Sequence, residues 1–130
     1  MVGVVIVSHS QKVAEGIRDM ALQMSAPQQK VVAAGGMADG NIGTDAFKVS
    51  EAIIAANSGE GVAIMVDLGS AVLSTETAFE FLDNELRAKV KIADAPILEG
   101  AISAVVEASL GSSLAAVIAT AEGARTMNKC

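Results

Sequence analysis

Short apolar runs recur along the chain, separated by polar residues and glycines. The first extends from Val2 to Val7, where five of the six residues are β-branched, as in strands that are covered on both faces. Three shorter segments of similar character are Lys30 to Ala34, Val62 to Val66 and Lys89 to Ile92. The pattern therefore predicts four strands.

The segments between these strands carry apolar residues three and four positions apart, which is the spacing of one helical face. The first predicted helix runs from Ser10 to Met24, with Ser10 as its N-cap. Its predicted apolar face consists of Val13, Ile17, Met20, Ala21 and Met24. The other predicted helices run from Thr44, as N-cap, to Asn57, from Ala71 to about Leu86, from Asp94 to about Leu110 and from Ser112 to about Arg125.

The alternation of strands and helices predicts a doubly wound α/β fold, in which helices cover both faces of a mainly parallel sheet. The simplest strand order is 2-1-3-4. In that order the chain leaves the first strand in opposite directions, and a crevice forms beyond the carboxyl ends of strands 1 and 3. Residues 1–130 are expected to form a single domain with a loose tail from about residue 126.

Composition and charge exclude several classes of protein. The chain has a net charge of −6 and no basic stripe, which disfavours binding to nucleic acid or to an anionic membrane surface. Its first apolar run is too short for a membrane span or a signal sequence, so a cytoplasmic protein is expected. The single cysteine, Cys130, offers neither a disulfide nor a metal cluster. No metal site is therefore expected; nor is a cofactor expected to bind the domain directly.

The chain has one histidine, His9, and it follows the first predicted strand directly. Asp67 follows the third strand, so the predicted topology brings the two side chains together. A carboxylate that accepts a hydrogen bond from one nitrogen of the imidazole ring leaves the lone pair of the other nitrogen free to act as a nucleophile. For a phosphoryl group, Gly69 and Ser70 offer a helix start, and Ser8 and Ser10 offer hydroxyl groups.

The same residues also have purely structural interpretations. His9 would then be a hydrogen-bonded core histidine and Asp67 a cap for the helix that follows it. The loop from Gly35 to Gly43 carries four glycines, but neither a GxGxxG nor a Walker A sequence is present, so a nucleotide is not expected to bind directly. Three acidic residues on the third predicted helix are interpreted as a solvated face: Glu76, Glu80 and Asp83.

Three motifs together resemble one known family. They are Val-Ile-Val-Ser-His-Ser at the start, Asn-Ile-Gly-Thr-Asp-Ala in the middle loop and Met-Val-Asp-Leu-Gly-Ser-Ala-Val-Leu-Ser after the third strand. This sequence resembles the mannose-type EIIA family of the phosphotransferase system, and within it the phosphotransfer subunits of phosphoenolpyruvate-dependent dihydroxyacetone kinases. The resemblance covers nearly the whole chain, and it implies a doubly wound α/β fold and a homodimer.

The resemblance also implies a function. His9 matches the histidine that accepts a phosphoryl group from phospho-HPr, and Asp67 matches the carboxylate that holds its ring. Gly69 and Ser70 match the turn beside the phosphate. In this branch the phosphoryl group passes to ADP on a nucleotide-binding kinase subunit, and phosphoenolpyruvate is its ultimate source. The residues expected near the site are Gly36, Gly43, Thr44 and Asp45.

Three alternatives remain open from the sequence. The domain could instead serve a mannose-type sugar permease as its EIIA component. A tetrapyrrole metal chelatase has a similar histidine after its first strand, although such enzymes usually bring a second metal-binding side chain and no second histidine exists here. In a regulatory or assembly module, His9 would be structural only.

Overall fold

The computed structural model describes residues 1–130 and confirms the predicted α/β fold. Four strands form one sheet in the order β2-β1-β3-β4, and every neighbouring pair is parallel. The strands are β1 (Gly3–Ser8), β2 (Val31–Gly35), β3 (Val62–Val66) and β4 (Val90–Ile92). The carboxyl ends of all four strands therefore meet at one edge of the sheet.

Six α-helices and two short 3₁₀ helices connect and cover the strands. The α-helices are α1 (Gln11–Leu22), α2 (Ala46–Ala56), α3 (Gly69–Ala78), α4 (Asn84–Arg87), α5 (Ile97–Ser109) and α6 (Leu114–Glu122). The 3₁₀ helices span Phe79–Phe81 and Gly123–Thr126. None of these helices combines the length and the hydrophobicity that a crossing of the bilayer requires.

The core has two layers, one on each face of the sheet. Helices α1, α5 and α6 pack on one face through residues such as Ile17, Val105 and Val117. Helices α2, α3 and α4 pack on the other face, where Ile53 and Leu86 are buried. Because alternate residues of β1 point into opposite layers, this central strand is fully buried, as its β-branched composition predicts.

The predicted apolar face of α1 is partly wrong. Val13, Met20 and Met24 are about half exposed, and the buried positions of α1 are Ala14, Ile17 and Ala21. The physical reason is a close approach between α1 and β2. A Cβ atom added to Gly35 would lie 2.8 Å from Cβ of Ala14, so small residues must face the sheet there.

The second predicted helix begins one residue later than expected. Asp45, rather than Thr44, is the N-cap of α2, and its carboxylate accepts hydrogen bonds from the backbone of Phe47 and Lys48. The Thr44 hydroxyl instead lies 2.5 Å from the hydroxyl of Ser74 in α3.

The long helix predicted from Ala71 to Leu86 is also wrong, because α3 ends at Ala78. A 3₁₀ turn follows, Leu82 is extended, and Asp83 caps the new helix α4 by accepting from the backbone of Leu86 at 2.8 Å. Glu76, Glu80 and Asp83 are all exposed, as predicted, and Asp83 has in addition the role of a helix cap.

Gly3 should be sensitive to substitution because β1 and α2 are in contact there. A Cβ atom at Gly3 would lie 2.1 Å from the carbonyl oxygen of Ala56, so Gly3→Ala should destabilise the fold by about 1–3 kcal/mol. Gly16, on α1, has open space around it, and Gly16→Ala should stabilise by about 0.5–1 kcal/mol. Urea unfolding of both variants measures the difference, and a Gly3→Ala protein as stable as the wild type would contradict this packing.

Candidate active site

The only histidine and its predicted partner meet at the carboxyl edge of the sheet. Val7 of β1 is paired with Val66 of β3, and the next residues along each strand lead to His9 and Asp67. His9 Nδ1 lies 2.9 Å from Asp67 Oδ1. Both side chains are partly buried, with exposed fractions of 20% and 18%. The predicted pairing of the two strand ends is therefore present in the structure.

The Asp67 carboxylate has four hydrogen-bond partners. Oδ1 accepts from the backbone N–H of Leu68 at 2.7 Å and faces His9 Nδ1. Oδ2 accepts from the backbone N–H of His9 and from the Ser8 hydroxyl, each at 2.9 Å. Each oxygen thus has two partners, and the carboxylate fixes the turn after β1 as well as the turn after β3.

These hydrogen bonds favour the ionised form of Asp67. Partial burial on its own would raise the pKa of the Asp67 carboxyl, but the hydrogen bonds from His9, Ser8 and Leu68 outweigh it and hold the pKa below its usual value. An ionised carboxylate requires a proton on His9 Nδ1. In a neutral imidazole the lone pair then lies on Nε2.

The Nε2 atom faces the start of α3. It lies 2.6 Å from the Ser70 hydroxyl, which donates to Nε2 when the proton is on Nδ1. Gly69 and Ser70 are the first two residues of α3, so their backbone N–H groups have no partner within the helix, and both residues are exposed. An anion bound beside Nε2 would meet these donors and the positive end of the helix dipole.

The glycine-containing loop is hydrogen-bonded to the backbone of the same site. The N–H of Gly43 donates to the carbonyl of His9 at 2.8 Å, and the N–H of Gly36 donates to the carbonyl of Ser8 at 3.2 Å. Gly43 has a φ of +146° and Gly36 a φ of +70°, values that favour glycine. The two predicted loop glycines therefore anchor residues 36–43 beside His9.

The other predicted site residues act at a greater remove from the ring. Ser10 caps α1, where its hydroxyl oxygen accepts from the backbone of Val13. Thr44 connects the loop to α3 through its hydroxyl, and Asp45 is the N-cap of α2. Neither residue forms a hydrogen bond with His9. The Ser8 side chain is buried and donates to Asp67, so its hydroxyl is directed at the carboxylate.

Two residues of this region were not singled out from the sequence. Gly35 permits the close contact between β2 and α1, since a Cβ there would lie 2.6 Å from the carbonyl oxygen of Ser10. Ser74 bonds to Thr44. A signal for Ser74 was available, because it lies four residues after Ser70 and so on the same helical face. No such signal marked Gly35 among the neighbouring glycines.

Exposed aliphatic side chains lie next to the site in sequence. Leu68 follows Asp67 and is 61% exposed, and Ile42 precedes Gly43 and is 73% exposed. A cleft of about 400 Å³ opens between β3, β4 and α3, and its lining includes Asp67, Leu68 and Val72. No group of three or more His, Cys, Asp or Glu side chains is arranged to hold a metal ion.

Comparison with known proteins gives the family. The sequence profile of the EIIA-man family, described as "PTS system fructose IIA component", matches residues 3–118. The chain belongs to the EIIA-man family. The resemblance inferred from the three motifs is thereby confirmed, and the matched region contains His9, Asp67 and the loop between them.

Relatives of this EIIA-man domain include subunits of dihydroxyacetone kinases. It is 41% identical over 118 residues to "PEP-dependent dihydroxyacetone kinase 2, phosphoryl donor subunit DhaM" of Listeria innocua, and the match covers 91% of this chain and 94% of that protein. It is 45% identical over 121 residues to the phosphoryl donor subunit DhaM of Escherichia coli, covering 91% of this chain but 26% of that longer protein. A solved structure described as a protein of unknown function superposes with a TM-score of 0.84 at 34% identity, covering 95% of each chain.

The Asp67→Asn variant tests how the ring is held. An amide offers one acceptor oxygen in place of two, so some of the four donors lose their partner, and stability should fall by about 1–3 kcal/mol. The Nδ1–H tautomer of His9 should also become less populated, which ¹⁵N NMR of the imidazole measures at neutral pH. Asp83→Asn, which alters a helix cap elsewhere, is the control. An unchanged tautomer in Asp67→Asn would refute the assignment of the ring nitrogens.

Proposed function

We propose that this EIIA-man domain is a phosphoryl carrier in which His9 Nε2 receives a phosphoryl group from phospho-HPr. It then passes the group to ADP bound on the nucleotide-binding subunit of a dihydroxyacetone kinase. The observation that carries the proposal is the orientation of the His9 ring. Asp67 is hydrogen-bonded to Nδ1, while Nε2 faces the exposed start of α3. This arrangement leaves the nucleophilic nitrogen on the side that a partner protein can reach.

The proposed transfer consists of two displacements at phosphorus. In the first, the Nε2 lone pair attacks the phosphorus of phospho-HPr; an Nε2–P bond forms, and the N–P bond of the donor breaks with its electron pair returning to the donor imidazole. In the second, a β-phosphate oxygen of ADP attacks the same phosphorus, so that a P–O bond forms and the Nε2–P bond breaks. Asp67 stabilises the positive charge that develops on the His9 ring while Nε2 bears phosphorus.

The Ser70 hydroxyl has a different role in the two states of His9. In the unmodified protein it donates to the Nε2 lone pair, so it must release this atom before the attack. After transfer the same hydroxyl is placed to donate to a phosphoryl oxygen, together with the backbone N–H groups of Gly69 and Ser70. The hydroxyl groups of Ser8 and Ser10, which the sequence suggests as phosphate ligands, are engaged with the Asp67 carboxylate and with the N-cap of α1.

The relatives favour dihydroxyacetone kinase as the acceptor system over the alternatives from the sequence. Several are named as phosphoryl donor subunits of that kinase, whereas the family description mentions a fructose component. A sugar permease component therefore remains the second acceptor to test. The same names favour phosphoryl transfer over metal insertion into a tetrapyrrole and over a module without catalytic function.

The proposed assembly contains HPr as the donor, the nucleotide-binding kinase subunit as the acceptor and a second copy of this chain as a homodimer. We place it in the cytoplasm, with phosphoenolpyruvate as the ultimate phosphoryl source and no cofactor bound to the domain itself. Leu68 and Ile42 support contact with a partner near this edge, since they are exposed aliphatic side chains that adjoin Asp67 and Gly43 in sequence.

Replacement of His9 tests the proposal directly. Incubation with phosphoenolpyruvate, enzyme I and HPr should label the wild-type domain with an acid-labile, base-stable phosphate, and the ADP-loaded kinase subunit should then discharge it as ATP. His9→Ala should take up no label, because the chain has no other histidine. Asp83→Asn should be labelled like the wild type. A labelled His9→Ala protein would overturn the proposal, and discharge only to a sugar permease component would reassign the acceptor.

The rate of the encounter should depend on salt. The chain carries a net charge of −6, so a phosphorylated partner must approach through a basic surface of its own, and this attraction is screened by ions. The second-order rate of transfer from phospho-HPr should therefore fall as salt rises. Phosphoramidate, a small donor that needs no protein surface, should show a much weaker effect. An unchanged HPr rate from low to high salt would show that charge does not guide this encounter.

A further inference from the structure

We propose that Ser8 is a positioning residue whose hydroxyl sets the proton affinity of Asp67, and through it the range of pH over which His9 accepts a phosphoryl group. This inference rests on the proposed function of His9. It assigns to Ser8 a role on the side of the ring away from the phosphoryl group.

The Ser8 side chain lies within a continuous set of hydrogen bonds. Its hydroxyl accepts from the backbone N–H of Ser10 at 3.1 Å and donates to Asp67 Oδ2 at 2.9 Å. Because Ser8 is only 1% exposed, water does not compete for the Ser8 hydroxyl in either bond. The hydroxyl proton is therefore directed at the carboxylate by the N–H group behind it.

Removal of this donor should make Asp67 a stronger base. Oδ2 would keep only the N–H of His9, while Oδ1 would keep its contacts with Leu68 and with the ring. A carboxylate that loses a donor to its charged form binds a proton more readily, so its pKa rises. Once Asp67 is protonated it no longer stabilises a positive ring, and the transfer to Nε2 slows.

Other charged groups near the carboxylate do not provide the same control. His9 is the one titratable side chain that forms a hydrogen bond with Asp67. Asp94 lines the same cleft, where it is paired with Arg125 at 3.0 Å. On the side of α2, the Lys48 ammonium donates to the carbonyl of Gly35 at the end of β2. The Ser8 hydroxyl is thus the neutral side-chain donor through which the proton affinity of Asp67 can be changed.

A series at position 8 tests the inference in the full chain. Ser8→Thr keeps the hydroxyl, Ser8→Cys replaces it with a weaker donor of similar size, and Ser8→Ala removes it. The control is Ser50→Ala, since the Ser50 hydroxyl is also buried but donates to the carbonyl of Phe47 in α2. Two quantities are measured: the ¹³C NMR titration midpoint of the Asp67 carboxyl, and the ratio of the initial rates of His9 phosphorylation in mild acid and at neutral pH.

The expected midpoint in Ser8→Ala lies about one to two pH units above that of the wild type, as expected for loss of one hydrogen bond to a charged group. In Ser8→Ala the rate of His9 phosphorylation in mild acid should fall relative to the rate at neutral pH. Ser8→Cys should show an intermediate ratio of rates, and Ser8→Thr and Ser50→Ala should show ratios close to that of the wild type. A residue with a structural role only would lower both rates together and leave the midpoint in place.

The outcomes separate this inference from the proposed function. If the wild-type domain takes up no phosphate at His9, the proposed function fails. If the wild type is phosphorylated but Ser8→Ala shares its midpoint and its ratio of rates, the role of Ser8 is overturned. Should Ser8→Ala not fold, the comparison of Ser8→Thr with Ser8→Cys decides the matter, and equal midpoints in those two variants would overturn the inference.

Discussion

The Asp67 carboxylate is the group on which the rest of the site depends. It lies just beyond β3, and its four hydrogen-bond partners belong to the turn after β1 and to the turn after β3. The same carboxylate therefore fixes the beginning of the two segments that lead into α1 and α3. One charge on the carboxyl edge of the sheet sets the ring orientation, the tautomer and the position of the helix start that faces Nε2.

Small residues around the sheet allow these groups to come so close together. Gly35 lies against the first turn of α1, and Ala14 is the helix residue that faces it. Larger side chains at either position would move the helix start and, with it, the backbone that carries His9 and Ser10. The packing of α1 is therefore part of the geometry of the site.

The general plan of the site could be predicted from the sequence because strand ends are easily located. An apolar run that ends in His9 and another that ends in Asp67, within an alternating α/β pattern, are enough to predict the strand order and the pairing of the two side chains. The direction of the Ser8 hydroxyl was not predictable. A serine at the end of a strand can face a ligand or a neighbouring carboxylate. These two positions of the hydroxyl differ by only a few ångströms, and sequence patterns do not distinguish between them.

The errors in the helices have a similar origin. Helical spacing places Val13 and Met20 on an apolar face, but the depth of the contact with the sheet decides which of the candidate residues are buried. The break after Ala78 also depends on competition between two signals, since the spacing of apolar residues continues through it while Asp83 offers a strong cap for a new helix. Local pattern alone does not settle either question.

The central proposal is that Asp67 keeps the proton of His9 on Nδ1 by accepting a hydrogen bond from it, and so leaves Nε2 as the atom that receives the phosphoryl group. Its most direct test is ³¹P and ¹⁵N NMR of the wild-type domain after phosphorylation by phospho-HPr, which identifies the nitrogen bonded to phosphorus. We predict a phosphoryl group on Nε2 and a proton retained on Nδ1. A phosphoryl group on Nδ1 would contradict it.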